Sequence, residues 1–585
     1  MKLCWSSRDT PAELRGALRA LGIAEGNRGI SLKFIPSQTP GLCEVVCAGK
    51  TATITYGGVA QALRGVGAAL SGITTREVTP FSTLGIMLDC SRNAVMTVEH
   101  LQVWLRRLAL LGYNQMMLYT EDTYELPGEP YFGYQRGAYT RAELKTIVAS
   151  AAALNIEVVP CIQTLGHLEK ILRHGAYRDV KDTDSVLLVG EPKTYALIEK
   201  MIRFWKEVSR SERIHIGMDE AHDLGRGRYL DKHGYRHGFE LFNEHLKRVV
   251  AICKTVGLKP MIWSDMYFRL GCESGEYYDP KTVIPLSVVK GIPREVELVY
   301  WDYYHDNKAF YLDWIRRHRQ MGKEPIMGSG IWTWNRYWYD HRTTVAHAGS
   351  CIEACAEAKV KELFFTQWGD NGAYCDHDSA FAGMTYCAEK AYGAQQPADE
   401  LLQKRFAAIC GSDYAAHVRA GDLHAGAVKG FHPNMWDDPI FDTHWRRFHR
   451  DNPAAMAKNA AAFDQLANDL ARCTGDVRYA ALVARAVADR YALSAALLAA
   501  YRQKDKVALR KAAAGIACTR KSIRAMAAGF RTMWLSHNKR EGLETIQARF
   551  GMLDARYAEL SKCVQEYLAG TIPSIAEWDC PCPPK

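Results

Sequence analysis

The chain has 585 residues, of which 48% are hydrophobic and 24% charged, with a net charge of +9. That is too long for one ordinary compact core and too apolar for disorder, and the composition excludes collagen-like chains and small disulfide scaffolds. No run approaches the ~20 uninterrupted apolar residues of a membrane span, the start "MKLCWSSRDTPAELRGALRALG" lacks a leader with an apolar core, and the 17 cysteines are odd in number and set in apolar contexts, so a reduced, cytoplasmic protein without a membrane partner is expected.

Residues 1–80 mix the strand-like pieces "LKFIP", "CEVVCAG" and "TATITYGG" with the helical "GVAQALRGVGAALSG", which predicts a small α+β domain. From 81 to 395 eight short apolar runs follow: "LGIMLD", "NQMMLYTED", "IEVVPCIQT", "IHIGMDE", "KPMIWSDM", "ELVYWDYY", "EPIMGSGIW" and "ELFFTQWGD". Stretches of 3.6-residue periodicity such as "TVEHLQVWLRRLALLG" separate them. Strands buried on both faces read as continuous apolar runs, and amphipathic helices supply the crossovers of parallel pairing. Eight such units predict a closed (β/α)8 TIM barrel, with a doubly wound sheet as the alternative.

From 396 to 585 the β signal disappears and Ala-rich helical patterns predict an α-helical C-terminal domain. From Leu401 to the end there are 27 Lys and Arg against 18 Asp and Glu, so the whole basic excess lies here. Its bases are interleaved with Ala and Leu at helical spacing, as expected of solvated helix faces and not of a nucleic-acid site. The tail "WDCPCPPK" has a Cys-x-Cys, Cys580 and Cys582, without a second Cys or His pair at zinc-finger spacing, so no metal is expected. The apolar face of the tail leaves two partners open, the barrel or a second copy of the chain in a homodimer.

The ends of the eight runs favour the barrel. Nearly all close on polar or aromatic residues: Asp89 and Arg92, Glu121, Gln163 and His167, Asp219 and Glu220, Trp263 and Asp265, Trp301 to Tyr304, Trp332 and Trp334, Trp368 and Asp370. In a barrel these ends converge on one mouth, where the chemistry of such folds lies. In "IHIGMDEAH" two acids stand side by side, and both can point into one pocket only where the strand gives way to a loop after Gly217. Two close carboxylates cannot ionise independently, so one is expected to keep its proton beside the other's charge. That pairing suits glycosidic cleavage, in which one group protonates the leaving oxygen and another steadies the cationic sugar. The alternative is that Asp219 and Glu220 cap the next helix or form surface ion pairs. Five tryptophans at converging strand ends favour a sugar site, because indole faces stack on pyranose rings.

At these residues the chain resembles glycoside hydrolase family 20, the β-N-acetylhexosaminidases, over nearly its whole length. The family's His-x-Gly-Gly-Asp-Glu signature stands here as His215-Ile216-Gly217-Met218-Asp219-Glu220. "LDCSRN" resembles the motif whose arginine holds sugar hydroxyls, nominating Arg92; "CIQTLGH" nominates His167, "IWSDM" Trp263, and "TQWGD" Trp368 and Asp370. The resemblance implies exo-acting hydrolysis of β-linked N-acetylglucosamine or N-acetylgalactosamine from glycans, without a cofactor or metal. It implies substrate-assisted retention, in which the 2-acetamido oxygen attacks the anomeric carbon and forms an oxazolinium ion. Glu220 would then be acid and later base, and Asp219 would orient the acetamide and stabilise its cation, with Glu121, His167 and His215 in support. Trp301, Trp332 and Trp334 would wall the sugar.

Three positions depart from the family pattern. Met218 replaces the second glycine, Asp370 stands where many members have Glu, and the strand-seven Tyr-x-Asp that holds the acetamido oxygen is replaced by "IWTWN". Tyr303 or Tyr304 would take over that hold, and alternation favours Tyr303 if Trp301 faces the pocket. Two rival functions share the scaffold: a catalytically silent sugar-binding protein, and a glycosidase whose nucleophile is Asp265 or Asp302.

Overall fold

The structure is a computed structural model that describes residues 2–393, 396–425, 434–441 and 453–580; Cys582 of the Cys-x-Cys lies outside them. The front of the chain forms a six-stranded sheet of β1 (Leu3–Trp5), β2 (Ala24–Glu25), β3 (Ile30–Pro36), β4 (Leu42–Ala48), β5 (Thr51–Tyr56) and β6 (Thr75–Val78), in the order β2-β1-β3-β5-β4-β6. Helices Ala12–Ala20 and Val59–Leu70 complete this α+β layer, and their buried residues share its core with Trp5, Val45 and Ile54.

Eight parallel strands then close a barrel: β7 (Thr83–Asp89), β8 (Gln115–Thr120), β9 (Glu157–Ile162), β10 (Arg213–His215), β11 (Lys259–Trp263), β12 (Glu297–Trp301), β13 (Ile326–Gly330) and β14 (Glu362–Gln367). β14 pairs back onto β7 from Glu362↔Thr83 to Gln367↔Leu88, which removes the sheet edges. Each of the eight apolar runs read between 81 and 395 overlaps one of these strands.

Local chemistry explains the helices between them. Thr97 caps Val98–Leu111 by accepting from the His100 N–H, and the helix buries Leu101, Trp104, Leu105 and Leu108 before stopping at Gly112, φ +92°. Helix Arg141–Ala153 starts at a Thr140/Glu143 capping box. At the N-terminal rim of the barrel Arg213 pairs with Glu297 at 3.1 Å and Glu362 at 2.6 Å, tying three strand starts.

The chain divides into two compact units. The first is residues 1–332, 343–369 and 383–411; the second is 333–342, 370–382 and 412–585. This differs from the boundary expected at 395, and a buried charge cluster supplies the reason. Arg64 bonds Glu77 at 2.5 Å and Glu389 at 3.1 Å, and Arg405 bonds Glu389 at 2.8 Å and Glu77 at 3.4 Å. All four are buried. Helix Asp399–Cys410, which carries Arg405, is thereby held in the first unit, since removing one partner of a buried ion pair costs about 3–5 kcal/mol.

The second unit is mainly helical, with helices Pro453–Ala471, Val477–Arg502, Gly515–His537 and Leu543–Ala569 around a core that includes Phe463, Tyr491, Phe530 and Leu553. The buried Arg490 guanidinium satisfies the Asn434, Met435 and Asp437 carbonyls and the Tyr557 hydroxyl. Among the described residues no helix is long and apolar enough to cross a membrane.

Candidate active site

β10 is only three residues long because the chain turns sharply after it. Gly217 has φ +69°, Met218 +73° and Glu220 +48°, and His167, across from them, has +54°. A Cβ on Gly217 would lie 2.1 Å from Gln163 Oε1 and 2.8 Å from the Ile162 carbonyl oxygen, so both conformation and space demand glycine there. Met218 takes a left-handed conformation that glycine adopts freely, which explains the glycine of the family signature. Met218 is fully buried, and that burial offsets the ~1–2 kcal/mol cost of a side chain at such a φ.

Neighbours hold the turn from three sides. The Met218 N–H donates to Gln163 Oε1 at 3.2 Å, the Glu220 N–H donates to Asp265 Oδ2 at 3.2 Å, and Thr164 Oγ1 donates to the Ile216 carbonyl at 2.8 Å. Gly217→Ala is expected to destabilise the first unit by about 2–4 kcal/mol, the sum of left-handed strain and overpacking, with a lower first melting transition in calorimetry. An unchanged melt would show that the turn relaxes freely.

The next helix begins only at Arg228, so the two acids do not cap it. Asp219 is buried, and its Oδ1 accepts from Gln163 Nε2 at 2.7 Å. His167 Nε2 lies 3.2 Å from Asp219 Oδ2 and 3.4 Å from Glu220 Oε2. Burial opposes charge on this imidazole, but the Asp219 and Glu220 carboxylates beside it outweigh it and raise His167 well above the usual histidine range. Burial also works to raise both acids, yet His167, with Gln163 on Asp219 and Tyr277 on Glu220, lowers each of them.

The expectation that one of the pair keeps a proton is therefore corrected. Both acids are lowered, and the group raised beside them is His167. The raised carboxyls are elsewhere. Asp265, fully buried beside the charges of Asp219 and Glu220, is raised to about 8, and Glu121 is raised by burial to about 7, with Arg92 and His167 opposing. His215 is pushed down to about 3 by burial and is neutral; its Nδ1 accepts from the Gly217 N–H at 3.1 Å, and its ring packs 4.4 Å from Trp263.

Around the acids the strand ends build an aromatic cluster. Trp263 is fully buried in it, 6.2 Å from Trp368. Trp368 meets Tyr119 edge-on at 4.8 Å and donates its Nε1–H to the Tyr303 hydroxyl at 2.9 Å. Tyr303 stacks on Trp301 at 5.1 Å, close enough to Glu220 and Asp219 for their charges to add to the burial that raises its phenol. Tyr304 is 61% exposed and packs edge-on against Trp332, so of the two tyrosines Tyr303 is the one inside.

Arg92 lies over the Tyr119 and Trp368 rings at 4.7 and 5.0 Å, pairing with Asp89 at 3.3 Å and Glu121 at 3.5 Å. Asp89 Oδ2 in turn accepts from the Gly369 N–H at 2.9 Å, joining β7 to the end of β14. Trp334 and Asp370 belong to the second unit. His167 was expected in support of the acids, and its nearest charged neighbours are the two of them.

Sequence reasoning missed Tyr277. Its hydroxyl donates to Glu220 Oε1 at 2.7 Å and lies 3.2 Å from His222 Nε2, while its ring stands 5.2 Å from Trp301. Tyr277 lies in a stretch with no apolar periodicity, "GCESGEYYDP", so only its doubled tyrosine could have drawn notice. Gln163, Tyr119 and Asp265 are further contributors whose bonds appear only once the strands converge.

A model of the glycosyl hydrolase family 20 catalytic domain matches residues 81–338, and a model of the Glycoside Hydrolase 20C C-terminal domain matches residues 431–583. Hexosaminidase D of Homo sapiens is 30% identical over 238 residues, 39% of this chain and 46% of the human protein. Beta-hexosaminidase of Vibrio furnissii is 23% identical over 239 residues, 33% of this chain and 38% of that protein. The chain spans about half the length of the curated relatives it matches.

Among solved structures, a mutant Streptomyces plicatus beta-hexosaminidase in complex with product (GlcNAc) superposes with a TM-score of 0.53 at 18% identity, over 71% of this chain and 91% of that one. The GH20 exo beta-N-acetylglucosaminidase of Vibrio harveyi, in complex with N-acetylglucosamine, gives 0.52 at 15% identity, over 70% and 73%. At such identities the likeness establishes the fold.

Proposed function

The chain belongs to glycoside hydrolase family 20, and from that premise we propose that it is an exo-acting β-N-acetylhexosaminidase that releases terminal β-linked N-acetylhexosamine with retention. The observation that carries the proposal is the cluster of Asp219, Glu220 and His167 within 3.4 Å, set on a strained turn beside the indoles of Trp263, Trp301 and Trp368.

The 2-acetamido oxygen attacks the anomeric carbon as Glu220 delivers a proton to the glycosidic oxygen, and the resulting oxazolinium ion is opened by a water that Glu220 deprotonates. Glu220 suits both steps because its side chain is 36% exposed, within reach of leaving group and water, while Asp219 is 9% exposed. Asp219 is held as an anion by His167 and Gln163 and stabilises the positive charge on the acetamido nitrogen. Tyr303, oriented by Trp368, is the donor to the acetamido oxygen. Arg92 and Asp89, locked to each other, hold sugar hydroxyls, and Trp263, Trp301 and Trp368 wall the ring. Trp332 and Trp334 remain proposed substrate contacts as indoles after a strand end, and Asp370 on its place in "TQWGD".

An enzyme nucleophile is disfavoured. Asp265 is raised by burial and by the charges of Asp219 and Glu220, which opposes the anion that a nucleophile needs, and the Asp302 carboxylate is taken by His305 at 2.8 Å, the Tyr304 N–H at 2.9 Å and the Tyr300 hydroxyl at 3.2 Å. A cytoplasmic location is proposed on the cysteines, most of which are buried among the described residues.

The test compares p-nitrophenyl N-acetyl-β-glucosaminide with p-nitrophenyl β-glucoside, and adds a thiazoline mimic of the cyclic intermediate. Hydrolysis restricted to the N-acetyl sugar, with strong thiazoline inhibition, is expected. Equal hydrolysis of both, or no release at any pH between about 4 and 8, would reject the proposal.

A further inference from the structure

Glu220 Oε1 accepts from the Tyr277 hydroxyl at 2.7 Å, while Oε2 is turned toward His167, whose Nε2 lies 3.4 Å from it and 3.2 Å from Asp219 Oδ2. A carboxyl that donates a proton to a glycosidic oxygen must present an oxygen to it. Oε2 looks back toward His167 and Asp219, so Oε1 is the oxygen on the far side, and there Tyr277 has to yield.

Tyr277 is differently supported. It lies between helix Asp265–Leu270 and helix Leu286–Lys290, in residues 271–285, which form neither helix nor strand. Its neighbour Tyr278 is the fixed base of this connection: it is buried, its hydroxyl donates to the Trp301 carbonyl, and its ring lies 5.0 Å from Trp314. Tyr277 is half-buried, and the Arg269 guanidinium covers its ring at 5.2 Å.

We propose that the Tyr277 hydroxyl holds the place on Glu220 Oε1 that the glycosidic oxygen takes in the complex, so that the arriving aglycone displaces it and residues 271–285 act as a gate on the proton donor. This rests on Glu220 being the acid. In the free protein Tyr277 is a positioning residue that adds to His167 in favouring the ionised form of Glu220, because a donor to a carboxylate favours its charged form. As the aglycone replaces it, Glu220 loses that donor, gains proton affinity and takes up a proton from solvent through its exposed edge. The acid form is thus assembled only when there is a bond to cleave. The other groups that act on Glu220 or on the tyrosine are His167 on the β9 connection, Asp219, Asp265 at the end of β11, His222, Tyr303 and Arg269, so any measured pKa belongs to this cluster.

The decisive experiment is the pH dependence of Tyr277→Phe on a β-linked N-acetylglucosamine disaccharide, whose leaving group needs the acid. The profile of kcat/KM reports the free enzyme and that of kcat the complex. A bond present only in the free enzyme predicts that the basic limb of kcat/KM moves up by about one unit, with the basic limb of kcat unmoved and kcat at its optimum within about threefold of wild type. Equal shifts in both profiles, no shift in either, or a tenfold fall in kcat would overturn the gate.

A second measurement needs no variant. A crystal structure of the wild type with a non-hydrolysed thio-linked disaccharide should show the Tyr277 hydroxyl off Oε1, and its persistence there would equally reject the idea. Wild-type protein that hydrolyses nothing would reject the functional reading as well, which separates that failure from a failure of the gate alone.

Discussion

Glu220→Gln is expected to cut kcat/KM on disaccharides by about 10³–10⁴ and on dinitrophenyl glycosides far less, because an activated leaving group departs without a proton. The substitution keeps the shape of the side chain, and an amide can still accept from Tyr277. It removes the proton, and one of the two charges that raise His167, so the histidine falls toward its ordinary range. With good leaving groups the second step becomes limiting, since no base activates water; azide, which needs no base, should restore turnover and yield the retained glycosyl azide. A loss of equal size on good and poor leaving groups would assign Glu220 some role other than proton transfer.

Asp219→Asn should cost about 10²–10³ in kcat/KM, the size of removing one preorganised charge from the transition state, or about 3–4 kcal/mol. Unlike the loss at Glu220, this one should be nearly independent of the leaving group, because the cation on the acetamido nitrogen forms whatever departs. Thiazoline affinity should fall with it, since the mimic shares that charge. Asparagine also leaves the buried His167 one anion short, so the imidazole is expected to titrate lower, which NMR of the histidine would follow directly. A slope against leaving-group pKa as steep as that of Glu220→Gln would mean that the two acids had been given each other's parts.

The two substitutions probe a pair whose membership was legible from the chain and whose protonation was not. Repulsion between adjacent carboxylates is a sound argument for an isolated pair. It failed because His167 lies 52 positions before Asp219 in the sequence and reaches both acids only when β9 and β10 stand side by side, paired at His215↔Cys161. The same holds for Asp265, whose adjacent position on the next strand turns a candidate nucleophile into a buried acceptor for the Glu220 backbone.

By itself the sequence determined the eight strands, their helices, the mouth on which their polar ends converge and the two acids at its centre. Hydrophobic periodicity, capping residues and motif spacing are properties of neighbouring positions, and they act before any tertiary contact exists. Only the closed barrel decided that Met218 occupies a glycine's conformation, that Tyr303 and not Tyr304 faces inward, that Tyr277 bonds the proton donor, and that helix Asp399–Cys410 joins the first unit through Arg405. Each of these depends on groups distant in the chain meeting within a few ångströms in a low-dielectric interior. There the strength of a charge or a hydrogen bond is set by what else is buried beside it, which local sequence does not contain.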